Sequence, residues 1–81
     1  MSAAIEAAIF DLLGKAAQGK SISPEEVARA VAPEAWRRHL SHVRGTAVGL
    51  AREGRLVITR HGKPADPEDF KGVWRIRLPD A

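Results

Sequence analysis

Apolar side chains recur at helical spacing over two long stretches of this chain, and they alternate with polar ones near its carboxyl end. The first stretch follows Ser2 and has an apolar stripe on a background of alanine: Ile5, Ile9, Leu12, Leu13 and Ala16. Ser2 suits a helix N-cap, because a serine hydroxyl accepts a hydrogen bond from a free backbone N–H. The spacing predicts a helix from Ser2 to about Gln18, ended by Gly19.

A second, shorter helix is predicted after Ile22, which stands alone between turn-forming residues and suits a one- or two-residue strand. The helix-start signal consists of Ser23, Pro24 and Glu26. Serine caps the helix, glutamate completes a capping box, and proline lacks only an N–H that would be unpaired in the first turn. Pro33 is expected to end this helix at the residue before it.

The third apolar stripe predicts a long helix over residues 34–53, directly after a tight turn. Its buried face consists of residues spaced alternately four and three apart: Trp36, Leu40, Val43, Ala47 and Leu50. Trp36 is expected to meet Trp74 in the core, and Gly54 to cap the carboxyl end of the helix. The second and third predicted helices therefore form a helix-turn-helix pair.

Two stretches rich in β-branched residues, 55–60 and 73–78, predict an antiparallel hairpin joined by loop 61–72. Alternate residues of the two strands are expected to face the helices: Leu56, Ile58, Trp74, Ile76 and Leu78. The residues between them, Thr59 included, are expected to face water. Within the loop, Asp66 is placed to cap one helical turn, and Phe70 to anchor the loop from below.

The predicted order is helix, short strand, helix, helix, strand, long loop, strand. We expect a single α+β domain over residues 1–81 with a winged helix-turn-helix arrangement. Helix 34–53 takes the place of the recognition helix, and loop 61–72 takes the place of the wing. A generic α+β domain would less often combine a tight proline turn between helices with a long loop inside a terminal hairpin.

Short motifs spread over residues 22–78 resemble a bacterial winged-helix family of unknown function, which consists of small stand-alone proteins. The matching motifs are Ile22-Ser23-Pro24, Leu50-Ala51-Arg52 with Gly54, Ile58-Thr59-Arg60 with Gly62-Lys63, and Arg75-Ile76-Arg77-Leu78. The resemblance implies the winged-helix fold. It implies no catalytic or binding residue, because none is assigned to the family.

Positive charge is concentrated in one part of the chain. Residues 35–63 contain seven Lys or Arg and one acidic residue, Glu53. Because Lys and Arg placed on phosphates release counterions, and Arg can pair with guanine, we expect double-stranded DNA as the partner. The predicted nucleic-acid-binding residues are Arg37, Arg38, Ser41, His42 and Arg52 on the recognition helix, and Lys63, Arg75 and Arg77 as phosphate contacts.

An alternative function stays open, because Asp66, Glu68 and Asp69 place three carboxylates inside the predicted wing. They would repel a phosphate backbone unless this part of the wing points away from it. The alternative is a protein–protein interaction module that binds an acidic partner surface through the same helix, without binding DNA. An ordered wing that covers the third helix with these acids would count against DNA binding. A solvated arginine-rich surface is also compatible with the pattern.

Other functional classes have little support. The chain has no cysteine, which excludes disulfides and thiolate metal sites. His39 and His42 have no third ligand near them in sequence, so we expect no metal, no other cofactor and no enzymatic activity. No apolar run approaches the ~20 residues that cross a bilayer, and the first residues are unlike a signal peptide. We therefore expect a cytoplasmic protein with no membrane partner, as a monomer or weak homodimer.

Overall fold

The computed structural model describes residues 2–17 and 19–80, and it has an α+β fold consistent with a winged-helix arrangement. Its elements are α1 (Ala3–Lys15), α2 (Pro24–Val31), a 3-10 turn (Trp36–His39), α3 (Leu40–Arg52), β1 (Val57–Arg60), β2 (Lys63–Pro64) and β3 (Arg75–Arg77). The predicted order of helices and strands is confirmed, with one additional strand, β2.

The predicted amino-terminal caps of α1 and α2 are both present. In α1, the backbone N–H of Ile5 donates to Ser2 Oγ at 3.3 Å. In α2, the N–H of Glu26 donates to Ser23 Oγ at 3.1 Å, and the N–H of Ser23 donates to Glu26 Oε2 at 3.1 Å. This reciprocal pair satisfies two backbone donors that have no partner within the helix. The start of α2 is therefore determined locally.

The first helix is shorter than the sequence predicts. Helix α1 ends at Lys15, and Ala16 already has an extended backbone with ψ 150°. Gly19 does adopt a left-handed conformation, with φ +79°, but it lies in a separate turn in which Lys20 N–H donates to the Ala17 carbonyl. Gln18 lies outside the described residues. The alanine-rich sequence permits a longer helix, and the turn toward α2 ends it early.

The third helix is not continuous over residues 34–53, which corrects the prediction. Residues 36–39 form the 3-10 turn, and the α-helix begins only at Leu40. Neither Ala35 nor His39, the residues at the two helix starts, offers a side-chain cap. Uncapped N–H groups after a proline turn favour the tighter 3-10 pairing, and Arg38 N–H donates to the Ala35 carbonyl at 3.1 Å.

The carboxyl end of α3 follows the prediction. Gly54 has φ +75°, a conformation that glycine adopts without strain. Its N–H donates to the Ala51 carbonyl at 3.0 Å, and Arg55 N–H donates to the Leu50 carbonyl at 3.0 Å. This pair of bonds is a Schellman motif, which turns the chain from α3 into β1.

The sheet has the strand order β2-β1-β3, with antiparallel pairing throughout. Ile22 adds a single bridge to Ile76, with backbone bonds of 2.7 and 2.9 Å, which confirms the predicted short strand. The sequence predicts a loop over residues 61–72, and the structure corrects this with strand β2 inside that segment. His61 and Gly62 have φ of 52° and 80°, and this tight turn folds β2 back onto β1. Pro64 is tolerated there because β2 is an edge strand.

The core lies between the three helices and one face of the sheet. Its buried residues are Ile5, Ile9, Leu13, Ile22, Val27, Ala28, Val43, Ala47, Leu50, Leu56, Ile58, Phe70, Trp74 and Ile76.

Two predictions about which side chains of the sheet face the core and which face water are wrong. Leu78 is 47% exposed because β3 ends at Arg77, and Thr59 is buried because its strand lies between two neighbours. Trp74 packs edge-on against Phe70, with ring centroids 5.3 Å apart, and Trp36 is only partly buried.

Candidate nucleic-acid interface

The 3-10 turn places arginine side chains at the amino end of α3. Arg37 and Arg38 are both exposed. The Arg37 guanidinium lies over the Trp36 ring, 4.3 Å from its centroid. Within the described residues, no carboxylate forms an ion pair with either arginine. These two cations are therefore available to an external anion.

The first turns of α3 continue this surface with small polar side chains. Ser41 and His42 are exposed, and the His39 and His42 rings lie with their centroids 5.9 Å apart. A Cβ built on Gly45 would meet nothing within 4 Å, so the surface beside it is open. Ser2, the N-cap of α1, borders the same shallow depression, whose volume is about 460 Å³. A groove wall or a backbone could approach α3 closely here.

The tip of the wing carries the predicted phosphate contact Lys63. The tight turn at His61 and Gly62 holds Lys63 at the start of β2, with its side chain exposed. Beyond β2, the chain does not continue as an open loop. Residues 65–73 instead fold back toward α3, so the predicted wing is divided into a basic tip and an acidic return segment.

The return segment is attached to α3 by Glu68. Both Glu68 carboxylate oxygens accept hydrogen bonds from Arg52, one from Nε and one from Nη2 at 2.6 Å. These bonds raise the pKa of Arg52 and lower the pKa of Glu68, with charge attraction acting in the same direction. Asp66 orders the segment, since its Oδ1 accepts from Glu68 N–H at 2.9 Å and its carbonyl from Asp69 N–H at 3.0 Å. Arg52 is thus occupied by an internal carboxylate.

A second contact fixes the return segment one turn from the start of α3. Arg44 donates through Nη2 to the Phe70 carbonyl at 2.6 Å, and its guanidinium lies 3.8 Å from the centroid of the Phe70 ring. Phe70 itself is buried, as the sequence predicted for an anchor. Together, the Arg44 and Arg52 contacts cover one side of the outer face of α3.

Arg75 and Arg77, the predicted phosphate contacts on β3, are engaged within the protein. Arg75 donates through Nε to Ser21 Oγ at 2.6 Å and through Nη2 to the Ser21 carbonyl at 3.0 Å. Arg77 donates to the Leu78 carbonyl at 3.0 Å and lies 3.4 Å from Asp80 Oδ1, with only 19% of its side chain exposed. Both side chains therefore tie the sheet to neighbouring segments.

The structure divides the predicted binding residues into separate groups. Arg37, Arg38, Ser41 and His42 lie together at the amino end of α3. Arg52 lies about 16 Å further along the helix axis, at the 1.5 Å rise per residue of an α-helix. Lys63 is on the wing tip, and Arg75 and Arg77 are on β3. The first group is the candidate interface, which we call the amino-end face of α3.

The sequence was compared with models of protein families, and residues 2–79 match the model described as Protein of unknown function (DUF3253). The match covers almost the whole chain. The chain belongs to the DUF3253 family. No curated protein matches the sequence.

In this DUF3253 member, the contacts of three residues that shape the interface do not follow from the sequence, although Glu68 belongs to the acidic run that the sequence places in the wing. Arg29 lies over the Trp36 ring from α2, at 4.5 Å from the centroid, and Arg44 and Glu68 attach the return segment. Their partners are distant in sequence, so the contacts depend on how the turns place the elements.

Across residues 2–17 and 19–80, no three His, Cys, Asp or Glu side chains come together as a potential metal site. Over the same ranges, no helix has the length and apolar character needed to cross a membrane.

Proposed function

We propose that this protein is a DNA-binding winged-helix domain, in which the amino-end face of α3 contacts double-stranded DNA and the wing tip contacts a phosphate. A fold consistent with a winged-helix arrangement supports a binding role. Function does not follow from fold alone, so the argument depends on the site.

The observation that carries the proposal is the pair of arginines at the amino end of α3 that form no ion pair with any carboxylate in the described part of the chain. Arg37 and Arg38 extend from the 3-10 turn, and Ser41 and His42 follow in the first turn of α3. In a helix-turn-helix domain, this end of the recognition helix enters the major groove. Arg38 is suited to a guanine or a phosphate, and the open surface at Gly45 allows close approach.

The wing contributes through its tip. Lys63 is exposed beside the turn at His61 and Gly62, so it can reach a phosphate without moving the return segment. Of the three acids at 66–69, Glu68 is paired with Arg52 on α3. The wing therefore covers the carboxyl end of α3 with a carboxylate, which counts against DNA contact at that end and confines the proposed contact to the amino end of α3 and the wing tip. Arg75 and Arg77 contribute to the positive potential of the sheet while bonded internally.

The test is a salt titration with a fluorescein-labelled random duplex of about 20 base pairs, read by anisotropy. We expect binding at ~50 mM salt that weakens as salt rises, with a slope of roughly −0.9 for each phosphate contacted. Arg38→Ala and Lys63→Ala should each weaken binding and make the slope shallower by about 0.9 if the residue contacts a phosphate. Lys15→Ala is the matched control, because Lys15 is exposed on α1 and paired with Asp11.

Absence of binding at ~50 mM salt would refute the proposal. It would also be refuted if both variants retained the affinity and the slope of the unmodified protein. A base-specific role for Arg38 would instead appear as a changed preference among duplex sequences with a retained slope.

The second candidate function is a protein–protein interaction module that binds an acidic partner surface. One observation favours it: Glu68 already occupies Arg52 as a protein carboxylate hydrogen-bonded through both oxygens. An external acidic segment could make the same kind of contact with Arg37 or Arg38. Under this alternative, an acidic peptide would bind at ~50 mM salt while the duplex would not.

A further inference from the structure

Two arginine side chains from different elements lie over the Trp36 ring. The Arg29 guanidinium lies 4.5 Å from the centroid of the Trp36 ring, and that of Arg37 lies 4.3 Å from it. Arg29 is in the last turn of α2, and Arg37 follows Trp36 in the 3-10 turn. The tight connection between α2 and the 3-10 turn brings these residues together.

Neither of the two cations forms an ion pair within residues 2–17 and 19–80. Among the described residues, the ion pairs formed by arginine involve Arg52, Arg55 and Arg77, and neither Arg29 nor Arg37 is among them. Both side chains are exposed. Two like charges held on one ring repel each other, and this repulsion is relieved when an anion binds between or beside them.

Stacking also leaves the hydrogen-bonding groups of the two arginines available. A guanidinium carries its N–H donors in its own plane, so donors at its edge remain free while its face lies over an aromatic ring. No hydrogen bond from Arg29 or Arg37 to another side chain or to a carbonyl is present in the described part of the chain. Trp36, partly buried against the core, fixes the position of both groups.

We propose that Arg29 and Arg37, both held against Trp36, form a clamp on the phosphate backbone of the bound nucleic acid. This inference rests on the proposed DNA binding and adds a contact from α2 to it. Planar guanidinium donors match phosphate oxygens in pairs, which a lysine does not reproduce. The clamp adjoins Arg38, so it extends the amino-end face of α3 toward α2.

The decisive variant is Arg29→Ala, because Arg29 lies outside the recognition helix and the wing. Titration with the random 20-base-pair duplex from ~50 to ~200 mM salt should give roughly three- to tenfold weaker binding and a slope shallower by about 0.9. Arg29→Lys keeps the charge without the planar fork, and we expect it to restore only part of the affinity. Lys15→Ala, which also removes one positive charge from an exposed site, should change the affinity less.

A role in packing alone predicts a different result. If the guanidinium only covers Trp36, Arg29→Ala lowers the melting temperature but binds duplex as Lys15→Ala does, and that outcome overturns the clamp. Should Arg29→Ala fail to fold, Arg29→Gln and Arg37→Ala are titrated instead, and unchanged slopes in both overturn it equally.

The intrinsic fluorescence gives a second readout. Trp36 is more exposed than Trp74, which is 8% exposed, so a change in tryptophan emission on adding duplex reports chiefly on Trp36. We expect this change in the unmodified protein, and in Arg29→Ala we expect it to need roughly three- to tenfold more duplex. If the unmodified protein does not bind duplex at all, the proposed function fails and the clamp fails with it. If Arg38→Ala weakens binding and Arg29→Ala does not, only the clamp fails.

Discussion

Arg52 and Glu68 make the clearest single contact between the predicted recognition helix and the wing. Both side chains are more than half exposed, at 60% and 56%. Ion pairs at such exposure are screened by water and salt, so this one positions the return segment more than it stabilises the fold. The pair matters for binding because the Glu68 carboxylate neutralises Arg52, a side chain that the sequence predicts to contact DNA.

The pH dependence of this pair can be predicted from its geometry. Hydrogen bonding to Arg52 lowers the pKa of Glu68, so the folded state binds the Glu68 proton less tightly than the unfolded state does. The pair therefore contributes to stability above the unfolded-state pKa of glutamate, and this contribution is lost as the pH falls through the lowered folded-state pKa. Arg52→Ala should raise the Glu68 pKa toward its ordinary value, as measured by NMR titration of the side-chain carboxyl carbon.

Arg38→Ala is the control for this measurement, since Arg38 forms no ion pair with Glu68. It should leave the Glu68 titration where it is in the unmodified protein. Salt near 1 M should shift the Glu68 pKa in the same direction as Arg52→Ala, because screening weakens an exposed pair. A Glu68 titration that does not respond to the loss of Arg52 would contradict the contact.

At the scale of elements, the return segment 65–73 covers part of the face that α3 would present to DNA. Arg44 and Arg52 hold it through the Phe70 carbonyl and the Glu68 carboxylate. A phosphate would have to compete with Glu68 for Arg52, and the remaining acids would repel it. The amino end of α3 is outside this contact, which explains why the candidate interface is confined to that end.

Glu68→Gln should strengthen duplex binding if the proposed function is correct. The change releases Arg52 from its carboxylate and removes a negative charge beside α3. We expect roughly three- to tenfold tighter binding at ~50 mM salt and a slope steeper by about 0.9, from one added phosphate contact. The measurement is the same anisotropy titration with the random duplex.

Asp69→Asn is the matched control for Glu68→Gln. It removes the same formal charge from the same segment, but Asp69 forms no ion pair with Arg52. An equal gain in both variants would indicate a general charge effect rather than release of Arg52. The double change Arg52→Ala with Glu68→Gln should cancel most of the gain.

At the scale of the whole molecule, β3 joins the sheet to the segment that connects α1 and α2. Ile76 pairs with Ile58 of β1 on one side and bridges to Ile22 on the other, and its side chain is fully buried. The contact between Ile22 and Ile76 ties the segment between α1 and α2 to the sheet. Loss of this side chain would therefore loosen the helices and the sheet together.

Ile76→Ala should lower the free energy of unfolding by about 2–5 kcal/mol, the usual range for truncating a buried isoleucine. Leu78→Ala is the control two residues along the chain, where the side chain is 47% exposed and a change within about 1 kcal/mol is expected. Urea denaturation followed by circular dichroism measures both. A cost at Leu78 as large as that at Ile76 would mean that the apolar alternation continues beyond β3.

The part of the fold that the sequence predicted well depends on contacts between near neighbours. The capping box of α2 joins Ser23 to Glu26, and the Schellman motif after α3 joins Leu50 to Arg55. Apolar periodicity correctly placed Ile9, Val43 and Leu50 in the core. Such signals lie within a few residues of each other, so they can be read without knowing the path of the chain.

The sequence by itself therefore determined the element order, the helix starts of α1 and α2, most of the core and the basic character of residues 35–63. Only the tertiary structure decided which cations remain available to a partner. Glu68 lies 16 residues from Arg52, and Arg29 reaches Trp36 across a turn, so neither contact has a local sequence pattern. The physical reason is that an exposed charge acquires its role from its neighbours in space. Those neighbours are set by the turns that fold β2, the return segment and the 3-10 turn onto α3.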